Sequence, residues 1–150
     1  MAAAQKLLTE ITSRRNDLEA LERILAFFHG DTGTLHRLGE DGLLHLEAHA
    51  GSIPEELLPA IRTIPVGKGI AGLAVERKAP VDLCNLQTDS SGDVRPRAKE
   101  TGAKGSVCVP MMDGNHAVGA LGVATREERA FTPEEIDTLL AAGRILARPR

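Results

Sequence analysis

The sequence predicts an α+β domain built around a mostly antiparallel sheet. A long helical pattern stands at each end of the chain, over residues 3–28 and 132–147. Between them, most of the strand-like segments occur in pairs that are joined by short polar turns. Tight turns join antiparallel strands, and helices separated along the chain from the strands are typical of the α+β class. We therefore expect hairpins flanked by terminal helices.

Length and composition indicate the class of protein. The chain has 150 residues, of which 42% are hydrophobic and 26% charged, and this is ordinary for one soluble domain with its own core. A net charge of -3 argues against a general nucleic-acid-binding protein, and the absence of Trp and Tyr leaves little for base stacking. No segment reaches the roughly 20 apolar residues of a membrane span, and the N-terminus lacks the order of a secretory signal. We therefore expect a reduced, cytoplasmic protein with no nucleic-acid or membrane partner.

The first helical segment carries a heptad seam. Its apolar residues recur at alternating steps of four and three, at Leu7, Ile11, Leu18, Leu21, Leu25 and Phe28. Arg14 occupies the one polar position of the seam. Such a seam occurs both in an amphipathic helix packed on its own domain and in a helix paired with a second chain. Because the seam runs ahead of the strands and contains a charged segment, we expect self-association to a homodimer. Residues 1–28 are then a candidate dimerisation helix, and residues 29–150 form the domain.

The first two strands are predicted to form a hairpin. A glycine-rich segment ends the helix, and residues 34–38 and 43–50 then show strand patterns. The segment Gly39–Gly42 between them is a hairpin turn signal. With the two central residues as the turn, we expect His36 to lie opposite His45.

Histidines on this hairpin raise the question of a metal site. His45, Glu47 and His49 alternate onto one face of the second strand, and His36 lies on its neighbour. Three histidines and a carboxylate on adjacent strands can bind a metal ion. Solvated faces of hairpins commonly carry the same residues, and that interpretation is the stronger one. We therefore predict no metal site.

A second segment has the features of a ligand pocket. Within Ile64–Asp89, a proline and two close glycines open a short helix over residues 70–75, and a strand over Val81–Cys84 leads into a polar loop. Together, such elements form the wall and the lid of small pockets. Ala71 and Gly72 lack bulk, so we expect this helix to pack close to the element beneath it.

The remaining strands complete the sheet. Short segments over residues 54–60 and 62–66 predict a helix and a strand. Residues 105–112 predict a buried strand that ends at Pro110, and a turn leads from it into a return strand over residues 116–125. In the final helix, the order of a threonine, a proline and two glutamates predicts an N-cap and a capping box.

Six blocks of the sequence follow one another in a recognisable order and spacing. They are Thr34–Leu35 with Leu44–Gly51, Ile64–Gly72, Val81–Asn85, Gly105–Pro110, Val118–Val123 and Phe131–Glu135. In this order the blocks resemble the GAF domain family, a small-molecule sensing module with an architecture related to that of PAS domains. The resemblance covers roughly residues 24–147, nearly the whole chain.

The resemblance implies a six-stranded antiparallel sheet with the N- and C-terminal helices on one face and a ligand pocket on the other. It also implies dimers formed through the terminal helices and a sensory role for residues 29–150. Family members bind many different ligands, so the ligand and any cofactor stay unknown. The predicted ligand-binding residues are Ile70, Leu73, Leu83, Asn85, Asp89, Arg97, Ser106 and Cys108. For the polar residues of the loop, ordinary loop capping is an equally strong interpretation.

Three specialised branches of the family differ from this sequence. Cyclic-GMP-binding members carry an Asn-Lys pair at the end of the last strand, where residues 124–126 read Ala-Thr-Arg. Free methionine sulfoxide reductases carry a Cys in the glycine block, where this chain has Ala71. Their catalytic Cys in the later loop has no counterpart between Asn85 and Lys104. Bilin-attaching members have a Cys-His pair, and neither cysteine of this chain is followed by His.

Two classes of function are left open. The first is a non-catalytic regulatory module that binds a small molecule and signals through a helix-mediated dimer or to a partner protein. The second is a thiol-based redox enzyme or redox sensor that uses Cys84 and Cys108. Buried cysteines more often serve as small core residues, so the regulatory module is the expected function. A scaffold whose pocket is filled by side chains is a third alternative.

Overall fold

The computed structural model describes residues 2–88, 99 and 102–148. Its helices are α1 (Ala2–Thr12), α2 (Asp17–Phe28), α3 (Leu58–Ile61), α4 (Gly69–Arg77) and α5 (Pro133–Ala147), and a 3₁₀ turn covers Glu55–Leu57. Its strands are β1 (Thr32–Leu38), β2 (Leu43–Gly51), β3 (Thr63–Pro65), β4 (Val81–Leu83), β5 (Gly105–Asp113) and β6 (His116–Thr125). Among the described residues, no helix has the length and apolar character needed to cross a membrane.

The six strands form one sheet in the order β3-β2-β1-β6-β5-β4. Every neighbouring pair is antiparallel. The hairpins β1–β2 and β5–β6 form across the predicted turns, and β1 pairs with β6 to join the two halves of the sheet. The predicted α+β class and the six-stranded antiparallel sheet are confirmed.

Alternation along the strands divides the core into two layers. On one face, α2 and α5 pack on the sheet and α1 packs on α2 and α5, and their apolar side chains form one cluster with strand residues such as Leu35 and Leu121. On the other face, α4 packs on β5 and β6, and Ala74 of that helix joins a second cluster with Val81 and Ala120. Because side chains along a strand point alternately to opposite faces, one sheet serves both layers.

The N-terminal segment forms two helices, so the prediction of one continuous helix over residues 1–28 is wrong. Asn16 has an extended backbone, and its side chain accepts a hydrogen bond from the Glu19 backbone N–H at 2.8 Å. That contact makes Asn16 the N-cap of α2. The Arg14 guanidinium donates to the last turn of α1 at 3.1 Å, so the polar residue of the seam stabilises the break between the helices.

The heptad seam is buried within the domain. Leu7, Ile11, Leu21 and Phe28 are at most 3% exposed and belong to the cluster between the helices and the sheet. Leu25 is half-buried, and Leu18 is exposed over 44% of its surface. A contact between two copies of the chain would therefore have to use the outer surface of these helices, because the seam already covers the sheet.

The β1–β2 hairpin is offset by one residue from the predicted register, and His36 does not lie opposite His45. The Gly39 backbone N–H bonds to the Leu43 carbonyl at 2.9 Å, which closes a three-residue loop instead of the predicted two-residue turn. Gly42 ends this loop with a φ of 80°. A left-handed glycine in the last position is the usual way to close a three-residue hairpin loop.

Pro110 lies inside β5, and the prediction that it ends the strand is wrong. β4 pairs with β5 only over Ser106–Cys108, so β5 is an edge strand by the time it reaches Pro110. Proline is tolerated at an edge because the missing N–H leaves no ladder bond unmade.

The start of α5 agrees with its sequence signals. The Thr132 hydroxyl accepts from the Glu135 N–H at 3.1 Å, and the Glu135 carboxylate accepts from the Thr132 N–H at 2.9 Å. The predicted capping box is confirmed.

Candidate functional site

A cavity of about 160 Å³ lies between the sheet and the elements that cover the face opposite the terminal helices. β1, β5 and β6 form its floor, and α3, β3 and α4 form its walls. The residues that line it are Thr32, Gly33, Thr34, His36, Ile53, Ala60, Ile61, Ile64, Gly69, Ile70, Ala71, Leu86, Ala103, Ser106, Cys108, Gly122, Val123 and Ala124.

The cavity floor is open because the middle strand carries a glycine. In the register of the sheet, Thr34 of β1 and Cys108 of β5 both lie opposite Gly122 of β6. A Cβ at Gly122 would lie 2.9 Å from Cys108 Sγ and 3.1 Å from Thr34 Oγ1. The hydroxyl and the thiol therefore flank the space above Gly122.

Gly72 sets the position of the cavity wall formed by α4. A Cβ at Gly72 would lie 2.5 Å from the Pro65 carbonyl oxygen. The Gly67 N–H also donates to the Gly72 carbonyl at 2.9 Å. The predicted close approach of this helix is confirmed, and it places Ile70 and Ala71 on the cavity wall.

His36 connects the floor to the wall. Only 2% of its surface is exposed, and its Nε2 lies 2.8 Å from the Ile61 carbonyl at the end of α3. A carbonyl only accepts, so Nε2 carries the proton and donates. Burial lowers the pKa of His36, although the bond to Ile61 opposes this effect. Within the described residues, its Nδ1 is buried without a hydrogen-bond partner.

Acidification is expected to destabilise the protein through His36. The folded protein holds this imidazole neutral, with a pKa below the ordinary 6.5, whereas the unfolded chain binds a proton near that pH. The contribution to stability is therefore complete above pH 6.5 and declines as the pH falls below it. The loss amounts to at most about 1.4 kcal/mol per pH unit for one group.

Urea unfolding on both sides of pH 6.5 measures this dependence. In His36→Gln, which keeps an N–H donor but does not titrate, the acid-side slope should be shallower. His49→Gln alters an exposed histidine on β2 and serves as the control. An unchanged slope in His36→Gln would contradict the assignment.

The structure brings three of the predicted site residues, Ile70, Ser106 and Cys108, to the cavity. Leu73, also on α4, packs instead on the second apolar cluster. Leu83 lies at the end of β4, away from the cavity lining.

The other three predicted residues belong to the segment after β4. Asn85 stabilises its own loop, because its side chain accepts from the Gln87 N–H at 3.0 Å. The same side chain donates to Glu128, in the loop before α5, at 2.6 Å. Asp89 and Arg97 lie outside the described residues. The structure favours the loop-capping interpretation for Asn85.

Several lining residues were not predicted, and the most informative lie on β1. Thr32, Thr34 and His36 alternate with Leu35, which is buried in the helical layer. This period of two places a polar row on the face away from the helices, and the sequence carried the signal. Ala103 and Leu86 had no such signal, because only the tertiary fold brings them to the cavity.

The two cysteines are separated by the strand register. Leu83 lies opposite Ser106, which places Cys84 about 10 Å along the pair from Cys108. A disulfide requires Cα atoms within about 7 Å, so these two cannot be bridged without moving the backbone. Burial raises the pKa of the Cys108 thiol to about 12. At neutral pH that thiol is protonated and unreactive.

The hairpin histidines do not form a metal centre in the described part of the chain. There, no three His, Cys, Asp or Glu side chains come close enough to hold an ion. His45 instead contacts its neighbour Asp41, with Nε2 2.8 Å from a carboxylate oxygen, at the exposed end of the hairpin.

Solved structures share this fold. The GAF domain of an Acinetobacter phosphoenolpyruvate-protein phosphotransferase aligns with a TM-score of 0.79 and 20% identity, over 97% of this chain and 89% of that one. The corresponding domain from Coxiella burnetii aligns with a TM-score of 0.78 and 22% identity over the same shares. A free methionine-R-sulfoxide reductase from Neisseria meningitidis, solved with its substrate, aligns with a TM-score of 0.77 and 15% identity, over 97% of this chain and 84% of that one.

Curated proteins provide no match to this chain. The sequence itself matches the family model described as GAF domain over residues 18–148, which is most of its length. The match begins within α2 and ends just after α5, so it spans the whole sheet and the cavity. The chain therefore belongs to the GAF domain family.

Proposed function

We propose that this chain is a non-catalytic sensory module, in which a small molecule bound in the cavity alters the packing of the terminal helices. The observation that carries the proposal is the cavity itself, which lies on the sheet face opposite those helices and is lined by α3 and α4. A ligand that contacts these covering elements and the sheet together would change how the sheet is packed. The similarity to GAF domains of two phosphotransferases supports a regulatory role.

The loop before α5 provides a route from the cavity to the helices. The Arg129 backbone N–H donates to the Cys84 carbonyl at 3.1 Å, next to the segment that carries Leu86 of the cavity lining. The Arg129 guanidinium donates to the Phe28 carbonyl at the end of α2 and to the Glu135 carboxylate at the start of α5. A ligand that shifts the cavity rim would therefore displace Arg129 and, through its hydrogen bonds, the end of α2 and the start of α5.

A thiol enzyme is the weaker candidate, although relatives of this fold include methionine-R-sulfoxide reductases. Thiol chemistry needs a thiolate with access to its substrate. Cys108 reaches the cavity but keeps its proton, since burial raises its pKa to about 12. Cys84 is exposed at the end of β4, outside the cavity lining. In the part of the chain that the structure describes, these two cysteines do not form a pair that supports the redox alternative.

The proposal includes a homodimer in the cytoplasm, formed through the terminal helices, that passes the signal to a partner protein. Because the seam faces the sheet, the dimer contact would use the outer surface of α2, where Leu18 is exposed. Native mass spectrometry of wild type and Leu18→Glu measures the oligomeric state. A dimer that Leu18→Glu dissociates is expected, and a monomeric wild type would contradict this part of the proposal.

A thermal-shift screen of metabolites tests ligand binding. A ligand that binds only the folded state raises the melting temperature. Ala71→Leu fills the cavity and should abolish the shift, whereas Ala26→Leu, the same change at an exposed position of α2, should keep it. A ligand that stabilises both variants equally would bind elsewhere.

Hydrogen exchange tests the sensory step. With a bound ligand, exchange should slow at the end of α2 and the start of α5 as well as around the cavity. Changes confined to the cavity lining would show binding without a signal to the helices.

A further inference from the structure

The described lining of the cavity is uncharged. It contains no Asp, Glu, Lys or Arg, and its two titratable residues are His36 and Cys108. Burial lowers the pKa of the imidazole and raises that of the thiol, so both are neutral near pH 7. A charged ligand group placed against such a lining would lose its hydration without gaining a counter-charge.

The size of the cavity limits its ligand. Its volume of about 160 Å³ is below the range of drug-sized ligand pockets, which begin at about 300 Å³. Apolar protein cavities of about 150 Å³ accommodate a benzene molecule. Ile61, Ile64 and Ile70 provide the same kind of apolar wall here.

The hydroxyls of Thr34 and Ser106 lie on the floor of the cavity. Neither Thr34 Oγ1 nor Ser106 Oγ bonds to any other residue in the described part of the chain, and Ser106 is only 7% exposed. A wholly apolar ligand in the cavity would separate these hydroxyls from water, whereas a ligand with a polar group at this point supplies a hydrogen-bond partner. The two residues lie on β1 and β5, on either side of β6 and the open space above Gly122.

We propose that the cavity binds an uncharged, mostly apolar molecule about the size of a singly substituted benzene ring, whose one polar group hydrogen-bonds to the Thr34 and Ser106 hydroxyls. This inference rests on the proposed function, because it names the chemical class of ligand for the same cavity. Against the described lining, it disfavours carboxylates, phosphates and amines as the polar group.

Four matched probes test the class. Benzyl alcohol, benzoate, benzylamine and toluene share one ring and differ only in the attached group, which is neutral polar, anionic, cationic or absent. Ligand-observed NMR titration at pH 7 measures their affinities for the full chain. Benzyl alcohol should bind more than tenfold more tightly than the two charged probes, because those lose hydration on entry.

Two hydroxyl deletions test the polar contact. In Thr34→Val and Ser106→Ala, affinity for benzyl alcohol should fall by about threefold to tenfold, while affinity for toluene should not fall. An equal loss for both probes would mean that the variant changed the cavity shape rather than a hydrogen bond. The two variants lie on different strands, so one remains informative if the other fails to fold. Ala71→Leu should abolish binding of all probes, and Ala26→Leu should preserve it.

The outcomes separate this inference from the proposed function. If benzoate or benzylamine binds as tightly as benzyl alcohol, the ligand class is wrong while the cavity remains a binding site. If none of the four binds but a screened metabolite does, and Ala71→Leu abolishes that binding, the class is again wrong and the function stands. If no molecule binds the cavity, both proposals fail.

Discussion

Gly72→Ala is expected to lower the free energy of unfolding by about 2 kcal/mol, within the range for overpacked sites. The added Cβ would lie 2.5 Å from the Pro65 carbonyl oxygen and 3.1 Å from the Gly67 nitrogen. Both are backbone atoms, so no side-chain rotation relieves the contact. Alanine favours the helix over glycine by about 1 kcal/mol, and the steric cost must exceed this gain.

The same substitution should weaken ligand binding more than its stability cost explains. To accommodate the new methyl group, α4 must move away from the turn before it, and α4 carries Ile70 and Ala71 of the cavity wall. Urea unfolding followed by circular dichroism measures the stability. Titration with benzyl alcohol, at a temperature where the variant is folded, measures the cavity.

Gly114→Ala is the matched control for this experiment. Gly114 has a φ of 60°, and nothing lies within 4 Å of the position of its Cβ. Its substitution costs about 1–2 kcal/mol for the left-handed backbone alone and leaves the cavity unchanged. If Gly72→Ala bound the probe as well as Gly114→Ala does, α4 would not depend on the close approach at Gly72.

Elements with local signals were predictable from the sequence. The capping box of α5 needs only Thr132 and Glu135, three residues apart, and the turn after β5 needs only Gly114 and its neighbours. These signals act within one turn of chain, so the tertiary fold does not override them. The family blocks then placed the strands in a known order.

At the break between α1 and α2, the strong heptad pattern obscured a weaker helix-start signal. Asn16 followed by Glu19 is an N-cap signal, but the heptad seam runs across it. The seam predicted that its apolar residues share one buried surface, and Ile11 and Leu21 are indeed buried. It did not predict that they would lie on two separate helices, of which α2 packs on the sheet and α1 packs on α2 and α5.

The candidate site was only partly predictable. Ser106 and Cys108 were found because the strand after the polar loop was expected to border the pocket, and alternation on β1 would have added Thr34 and His36. The contact of His36 with α3 has no sequence signal, since it joins residues that are 25 positions apart. Asn85 accepts a hydrogen bond from within its own loop, as polar loop residues often do.

Arg129→Met is expected to destabilise the protein by about 2 kcal/mol, which is typical for the loss of charge-assisted hydrogen bonds. The guanidinium bonds to the Phe28 carbonyl and to the Glu135 carboxylate, and it lies 4.4 Å from the centre of the Phe131 ring. Methionine keeps much of the apolar volume over the ring but bonds to neither helix. Urea unfolding measures the loss.

Arg126→Met provides the control within the same loop. The Arg126 side chain is exposed and donates to the Ser52 hydroxyl at 2.7 Å, on the segment that follows β2. Its replacement should change stability by less than about 0.5 kcal/mol, as is usual for exposed side chains. A similar loss in both variants would mean that the loop needs positive charge rather than the bonds of Arg129.

The effect on signalling is the sharper test of Arg129. None of the cavity lining belongs to the loop that carries it, so the variant should still bind a cavity ligand. In wild type, the ligand should slow hydrogen exchange at the end of α2 and the start of α5. In Arg129→Met, the cavity should be protected while those helix ends no longer respond. If the helix ends still respond, the signal reaches the helices through the sheet itself. The loop would then stabilise the fold without taking part in sensing.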